Sequence, residues 1–253
     1  MNSHKNKTIL RQIKINFMVI FISPPFGNYL NLKKACSIKG SFTLEPRDGL
    51  IGQILKTLRY SFKHNGWINK IGLRNPGIDY AIKNYGNDCI KTDNIISIAI
   101  LNSSDMDKFL KKIPQNVNLE VNVSCPNAEK SMVDENIHKF INNKRKWCVI
   151  KVSPLVTKDK LDSYYKVGFR QFHVSNTLPT ESGGLSGKSL IPYNKESIEY
   201  LRKTYPDTVI IGGGGIQDVD DALMYKNFGA NHVSVSTLCF NPYKFMKFYN
   251  GKF

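Results

Sequence analysis

The stretch TVIIGGGGIQDVDDALMYKNFGANHVSVS, residues 208–236, reads as one strand–helix–strand unit. Its first part, 208–213, is a β-branched run ending in glycines, suited to a strand buried on both faces. Asp218 opens a helical stretch and Gly229 ends it, the places favoured for an N-cap and a C-terminal glycine. Residues 232–236 return to a short apolar strand. Two such strands joined through a helix imply a crossover between parallel neighbours.

The unit repeats along the chain. Runs at 17–22 (FMVIFI), 35–39 (ACSIK), 94–100 (NIISIAI), 119–124 (LEVNVS), 148–153 (CVIKVS) and 170–175 (RQFHVS) join 208–213 and 232–236 to make eight predicted strands. Between them, Ser104 opens SDMDKFLKKI with Asp107 three residues on, a weak capping box. Thr157 opens TKDKLDSYYKV with Gly168 beyond it, and Asn194 opens NKESIEYLRKTY with Pro206 just past its end. Eight alternating strands and helices in about 250 residues are the arithmetic of a (β/α)8 TIM barrel. The expected architecture is therefore α/β, a single domain over 1–253, with an open doubly wound sheet as the alternative. Residues 40–93 exceed what one crossover needs and predict extra loops over the carboxyl-end mouth.

Composition narrows the class. The chain has 253 residues, 41% of them hydrophobic, enough for a core and too many for wholesale disorder. No apolar run approaches the roughly 20 residues that span a bilayer, and none near Lys5, Lys7 and Arg11 is long enough for a signal peptide. Cys36, Cys89, Cys125, Cys148 and Cys239 are dispersed with no C-x-x-C pair, which argues against a disulfide framework and a metal site. A soluble cytoplasmic protein is expected. The formal charge is +16, yet the basic residues are scattered, and the densest group, Lys144-Arg145-Lys146, is expected at a helix end beside terminal carbonyls. Without a nucleic-acid motif, a lysine-rich solvated surface explains this charge better than an RNA-binding face.

Polar residues gather after the predicted strands, where a barrel carries its active site. Asn122-Val123-Ser124-Cys125-Pro126-Asn127 follows the fourth strand. Lys151 lies on the fifth, Asn176-Thr177 and 183–187 (GGLSG) follow the sixth, Gly212–Gly215 the seventh and Ser236-Thr237 the eighth. The glycine run before a helix suits a phosphate, because backbone amides can approach an anion closely there. Cys125 is the candidate nucleophile or base, since a free thiol near pKa 8.5 is a few per cent thiolate at neutral pH. The other four cysteines read as core. Asn69, Asn122, Asn127 and Asn176 each offer a donor and an acceptor, suited to a planar heterocycle with alternating C=O and N–H groups. Lys151, within an apolar strand, needs an anionic or electron-rich partner such as a flavin ring. His173 reads as a satisfied barrel histidine.

The motifs NKIGLRNPG (69–77), NVSCPN (122–127), IKVSP (150–154), NT with GGLSG (176–187), IGGGGI (211–216) and VSVST (233–237) resemble the dihydroorotate dehydrogenase family of FMN-dependent barrels, in its soluble, cysteine-base branch. The resemblance implies oxidation of dihydroorotate to orotate in pyrimidine biosynthesis. Cys125 would take the C5 proton while a hydride passes from C6 to flavin N5. It implies that Asn69, Asn122, Asn127, Asn176 and Thr177 hold the pyrimidine, with backbone amides of Ile71, Gly72 and Leu73. Lys39 would contact both substrate and flavin, as would Asn122. Lys151, Gly187, Gly214, Gly215, Ser236 and Thr237 would line FMN and its phosphate. The implied partners are a small-molecule substrate, a second copy of the chain in a homodimer, and an iron–sulfur electron-transfer subunit. The chain departs from the pattern at SPPFGN (23–28), where two prolines enter the expected flavin loop, at Ser236 in place of a glycine, and between Lys39 and Thr43, which stand one residue too far apart. A tRNA dihydrouridine synthase, and a degenerate flavin-binding barrel without turnover, are the alternatives.

Overall fold

Eight short parallel strands close into a barrel in the order β1, β12, β11, β8, β7, β6, β5, β2. They are β1 (Ile20–Ile22), β2 (Ala35–Phe42), β5 (Ile95–Ala99), β6 (Leu119–Asn122), β7 (Cys148–Val152), β8 (Gln171–Val174), β11 (Val209–Gly213) and β12 (His232–Val235). Each falls in one of the eight runs expected, β2 extending three residues further and the other seven being shorter than their runs. The structure is a computed structural model and describes residues 18–124, 136–174 and 176–251. The described residues include seven α-helices, of which all but the first pack around the barrel: α1 (Leu50–Thr57), α2 (Gly77–Lys91), α3 (Asp105–Lys112), α4 (Lys158–Lys166), α5 (Ile191–Thr204), α6 (Val219–Phe228) and α7 (Pro242–Tyr249).

Strand alternation sorts the side chains into two cores. Ile20, Ile98, Val121, Ile150, Phe172, Ile210 and Val233 face outward and pack with Ile78, Phe109, Leu161, Ile198, Tyr225 and Phe248 of the helices. Facing inward, Phe21, Cys36, Ile38, Ile95, Trp147, Val149 and Ile211 fill the lower barrel. One pleat higher the inward residues turn polar, with Ser97, Glu120, Lys151, His173 and Ser234 all buried. The apolar plug keeps water out from below, so these polar groups must satisfy one another or a ligand.

The long connection after β2 is more than loops. It holds α1, β3 (Arg59–Ser61), β4 (Gly66–Asn69) and α2. The β3–β4 hairpin pairs with β10 (Gly183–Gly187) and β9 (Leu178–Thr180) in a second, antiparallel sheet of order β3, β4, β10, β9. The GGLSG stretch is therefore a strand, with Gly184 opposite Asn69 and Gly187 opposite Gly66. A Cβ on Gly187 would come 2.8 Å from the Asn65 carbonyl oxygen, so only glycine lets these backbones approach so closely.

Local signals mostly hold. Thr157 and Asp218 cap α4 and α6 through Lys160 N–H and Asp221 N–H. Gly229 ends α6 in the left-handed region. Ser104 precedes α3 but makes no side-chain cap bond. Asn194 does not open its helix: α5 begins at Ile191 with Pro192 in its first turn, and Asn194 is buried inside it. The 144–146 cluster follows a 3-10 turn (Ile137–Phe140) in the loop before β7, not a helix end. There Arg145 is buried with its guanidinium on the Val117 carbonyl, and Lys146 pairs with Asp93 at 2.5 Å.

Candidate active site

The upper barrel holds a directed hydrogen-bond chain. The Asn122 side-chain amide donates to Ser41 Oγ (3.0 Å), Ser41 lies 2.8 Å from Ser97 Oγ, and Ser97 donates to Glu120 Oε1 (2.7 Å). A carboxylate only accepts, so His173 carries its proton on Nδ1 and donates to Glu120 Oε2 at 2.6 Å. Lys151 Nζ stands 3.9 Å from the same carboxylate. Burial alone would raise the Glu120 pKa. The Lys151 and His173 side chains and the Ser97 hydroxyl overcome that and hold it at about 2. His173 is driven the other way, lowered by burial against the pull of Glu120. The geometry fits one ion pair, Glu120 with Lys151, beside a neutral imidazole. His173 Nε2 has no partner among the described residues, so this histidine is only half satisfied.

At the rim the chain continues into the expected residues. Asn122 Oδ1 accepts from Ser124 N–H (3.2 Å) and from the Asn176 amide (3.4 Å), and Asn176 also bonds to Ser124 Oγ. Asn176 Oδ1 accepts from Thr177 N–H at 2.8 Å. A Cβ on Gly184 would run into the Thr177 side chain, and Gly184 is paired with Asn69, so Asn69 reaches the same edge. Asn69 Oδ1 accepts the Ile71 amide at 3.3 Å, which engages one of the three backbone donors expected at 71–73. Gly72 and Leu73 both have positive φ (68° and 56°). For a leucine that is a strained conformation, of the kind found where a loop is shaped for a ligand.

Lys39 is not brought to this group. Between Lys39 and Phe42 the β2–β5 register slips by one residue, and Gly40 takes φ 98° there. The extra residue between Lys39 and Thr43 is thus absorbed as a β-bulge. Ile38 faces the lumen, so Lys39 faces away from it. Its Nζ donates to the Gly27 carbonyl (2.7 Å) and Asn31 Oδ1 (2.6 Å) and lies 5.5 Å from the Tyr85 ring. Burial pushes its pKa down, against the pull of Asp88. Ser41 takes the next inward position.

The glycine turn follows β11, the barrel neighbour of β8. Gly214 and Gly215 have φ 91° and 81°, and a Cβ on Gly215 would sit 2.8 Å from the Gly187 carbonyl oxygen and from Lys188 Cα. Gly187, Gly214 and Gly215 therefore share one seam. Beside it, Ser236 Oγ donates to the Pro24 carbonyl (2.9 Å) and Thr237 begins a 3-10 turn. The two prolines of the first loop are held against the end of β12. The cradle of glycines without Cβ atoms and the buried Lys151 fit a phosphate-bearing flavin.

Cys125 and Asn127 lie outside the described residues. Burial pushes the thiols of Cys36, Cys89, Cys148 and Cys239 up to about 12, which suits core residues and not a base at neutral pH. Ser41, Ser97 and Glu120 escaped the sequence reading. The signal was an acid inside the apolar run LEVNVS, which in a closed barrel can face only the lumen or the helix layer.

Comparison with known proteins agrees with this architecture. The profile of the dihydroorotate dehydrogenase family matches residues 26–176 and 165–248. A relative from Desulforamulus reducens, named "Dihydroorotate dehydrogenase B (NAD(+)), catalytic subunit", is 31% identical over 245 residues, covering 85% of this chain and 78% of its own. One of the same name from Thermotoga maritima is 28% identical, covering 88% and 91%. A ligand-free DHODH crystal structure from Eimeria tenella superposes with a TM-score of 0.68 at 17% identity, covering 90% of this chain and 81% of that one. The barrel with its rim of amides, lumenal lysine and glycine turn has the makings of a flavin-binding oxidoreductase. The chain belongs to the dihydroorotate dehydrogenase family.

Proposed function

We propose that this chain oxidises dihydroorotate to orotate as a single FMN-binding catalytic domain. The observation that carries the reading is the convergence on one barrel rim of Asn69, Asn122, Asn176 and Thr177, with Lys151 beneath them and the Gly187–Gly214–Gly215 seam across the mouth. FMN, when bound, supplies the hydride acceptor. The chain's own residues do the rest. Amide side chains can match the alternating C=O and N–H groups of a dihydropyrimidine, each unpaired group rejecting analogues that lack its partner. Cys125, next to Ser124 in the chain, takes the C5 proton. Lys151 holds positive charge at the flavin, with its orientation set by Glu120. Gly187, Gly214, Gly215, Ser236 and Thr237 hold the phosphate end.

The curated relatives are named catalytic subunits, which supports pairing with a partner subunit; we infer an iron–sulfur electron-transfer protein in that place, and a second copy of the chain in a homodimer. Helix α1 buries none of its residues, and Ile51 and Leu55 on it are 74% and 81% exposed, an apolar surface open to such a partner. No helix among the described residues is long and apolar enough to cross a membrane. A cytoplasmic site of action agrees with this and with the family's place in pyrimidine synthesis.

The test is direct. Purified protein is expected to be yellow and to bleach anaerobically when dihydroorotate is added. Bleaching by NADPH with reoxidation by tRNA points to the RNA enzyme instead. A colourless protein that FMN cannot reconstitute points to a barrel without turnover.

A further inference from the structure

The glycine turn is gripped from behind by two side chains that its own sequence does not contain. Asn194 of α5 and Tyr225 of α6 are both completely buried. The Asn194 amide donates to the Gly213 carbonyl at 2.6 Å and lies 3.3 Å from the Tyr225 hydroxyl. That hydroxyl is 2.6 Å from the Gly213 carbonyl and 2.7 Å from the Gly214 carbonyl. A phenol has one proton to give. With Asn194 serving Gly213, the hydroxyl is free to donate to Gly214, and each carbonyl has a donor of its own.

The consequence follows from peptide geometry. In a trans peptide the C=O and the following N–H point to opposite sides. Drawing the Gly213 and Gly214 carbonyls toward the helix layer turns the Gly214 and Gly215 N–H groups away from it. Neither N–H donates to a carbonyl among the described residues. A Cβ on Gly214 would lie 2.9 Å from the Asn194 amide nitrogen, so the grip and the missing side chain depend on each other. Asn194 Oδ1 has no partner among the described residues, although the residue is buried within a helix. An apolar side chain would leave no such unpaired oxygen, so what the amide offers in exchange is the bond made by its nitrogen.

We propose that Asn194 and Tyr225 are positioning residues that hold the 213–215 turn with two successive amides aimed at the phosphate of FMN. The inference rests on the flavin reading above. It assigns no contact with the isoalloxazine ring, so FMN and riboflavin, which differ only in the phosphate, separate a positioning role from a structural one.

The experiment titrates the full-length protein, freed of bound flavin, with FMN and with riboflavin by fluorescence quenching, for wild type, Tyr225→Phe and Asn194→Leu. Tyr225→Phe removes only the hydroxyl oxygen and Asn194→Leu keeps the branched shape with a larger side chain, and thermal melting of each flavin-free variant checks the fold. Loss of one hydrogen bond to the turn is expected to weaken FMN about five- to tenfold, with riboflavin unchanged within a factor of two. FMN affinity unaltered in both variants, or FMN and riboflavin weakened in parallel, overturns the proposal. Wild-type protein that binds neither flavin overturns the reading it rests on, and the proposal with it. Wild-type protein that binds both equally overturns the phosphate assignment alone.

Discussion

Replacing Glu120 by Gln removes one buried charge while keeping its shape and both neighbours, the bond with Ser97 reversing its direction. The Gln oxygen still accepts from His173 Nδ1–H, and its amide can donate to Ser97 Oγ. What disappears is the charge that balances Lys151 at 3.9 Å. Glu120 is fully buried, and its pKa falls from the ordinary 4.5 to about 2, a drop equivalent to about 3 kcal/mol of native-state stability at neutral pH. Breaking a buried pair from one side costs a similar amount, about 3–5 kcal/mol. A depressed carboxylate pKa stabilises fully above the unfolded value, and that stabilisation drains away as pH falls from 4.5 toward 2. Urea unfolding of Glu120→Gln and wild type at pH 7 should differ by about 3 kcal/mol, with more than half of that gap gone by about pH 3. A gap below about 1 kcal/mol, or one that does not change with pH, refutes the ion-pair account of the lumen. Because the chain Asn122–Ser41–Ser97 ends on this carboxylate, the variant should also bind substrate more weakly at the rim.

Further outcomes concern other parts of the barrel. His232 lies between Phe21 and Trp147 (ring centroids 5.9 and 5.8 Å), and its Nδ1 accepts the Val19 N–H at 3.3 Å. Burial lowers its pKa from 6.5 to about 4, so stability present at pH 7 is lost as pH falls from 6.5 toward 4. In urea titrations His232→Gln should lose about 2 kcal/mol less than wild type between pH 7 and pH 4.5; equal losses rule His232 out as the acid-sensitive group. Gly215→Ala puts a side chain at φ 81°, 2.8 Å from the Gly187 carbonyl oxygen. It should weaken FMN by at least about tenfold, since left-handed strain alone is roughly 1–2 kcal/mol; native FMN affinity would show that the seam is not the flavin seat. Cys125→Ala should retain flavin yet lose its reduction by dihydroorotate, and undiminished reduction removes Cys125 from the base role.

Much of the fold was legible because every barrel strand is buried on both faces and so reads as a β-branched apolar run. The second sheet was not. Its strands β3 (RYS) and β9 (LPT) are three residues long and carry no β-branched apolar run, and β10 is mostly glycine, which reads as a loop when it is in fact a strand packed too tightly for side chains. Asn194 looked like a helix cap because Asn favours that place, while Ile191-Pro192 in fact begin the helix. At the site, motif residues at strand ends were visible, since polar groups after apolar runs stand out. Glu120 and Ser97 did not stand out. Within a strand an isolated polar residue usually marks the solvent side, and only barrel closure turns that side into a lumen. The displaced Lys39 shows the opposite limit: one extra residue before Thr43 was countable, but that it would form a bulge at Gly40 depended on the pairing of β2 with β5.

The most direct measurement is the visible absorbance band of the oxidised flavin during anaerobic addition of dihydroorotate to the full-length protein reconstituted with FMN. Loss of that band on mixing, with orotate formed in equal amount, is the predicted result. A flavin that stays oxidised under dihydroorotate but still bleaches with dithionite would contradict it.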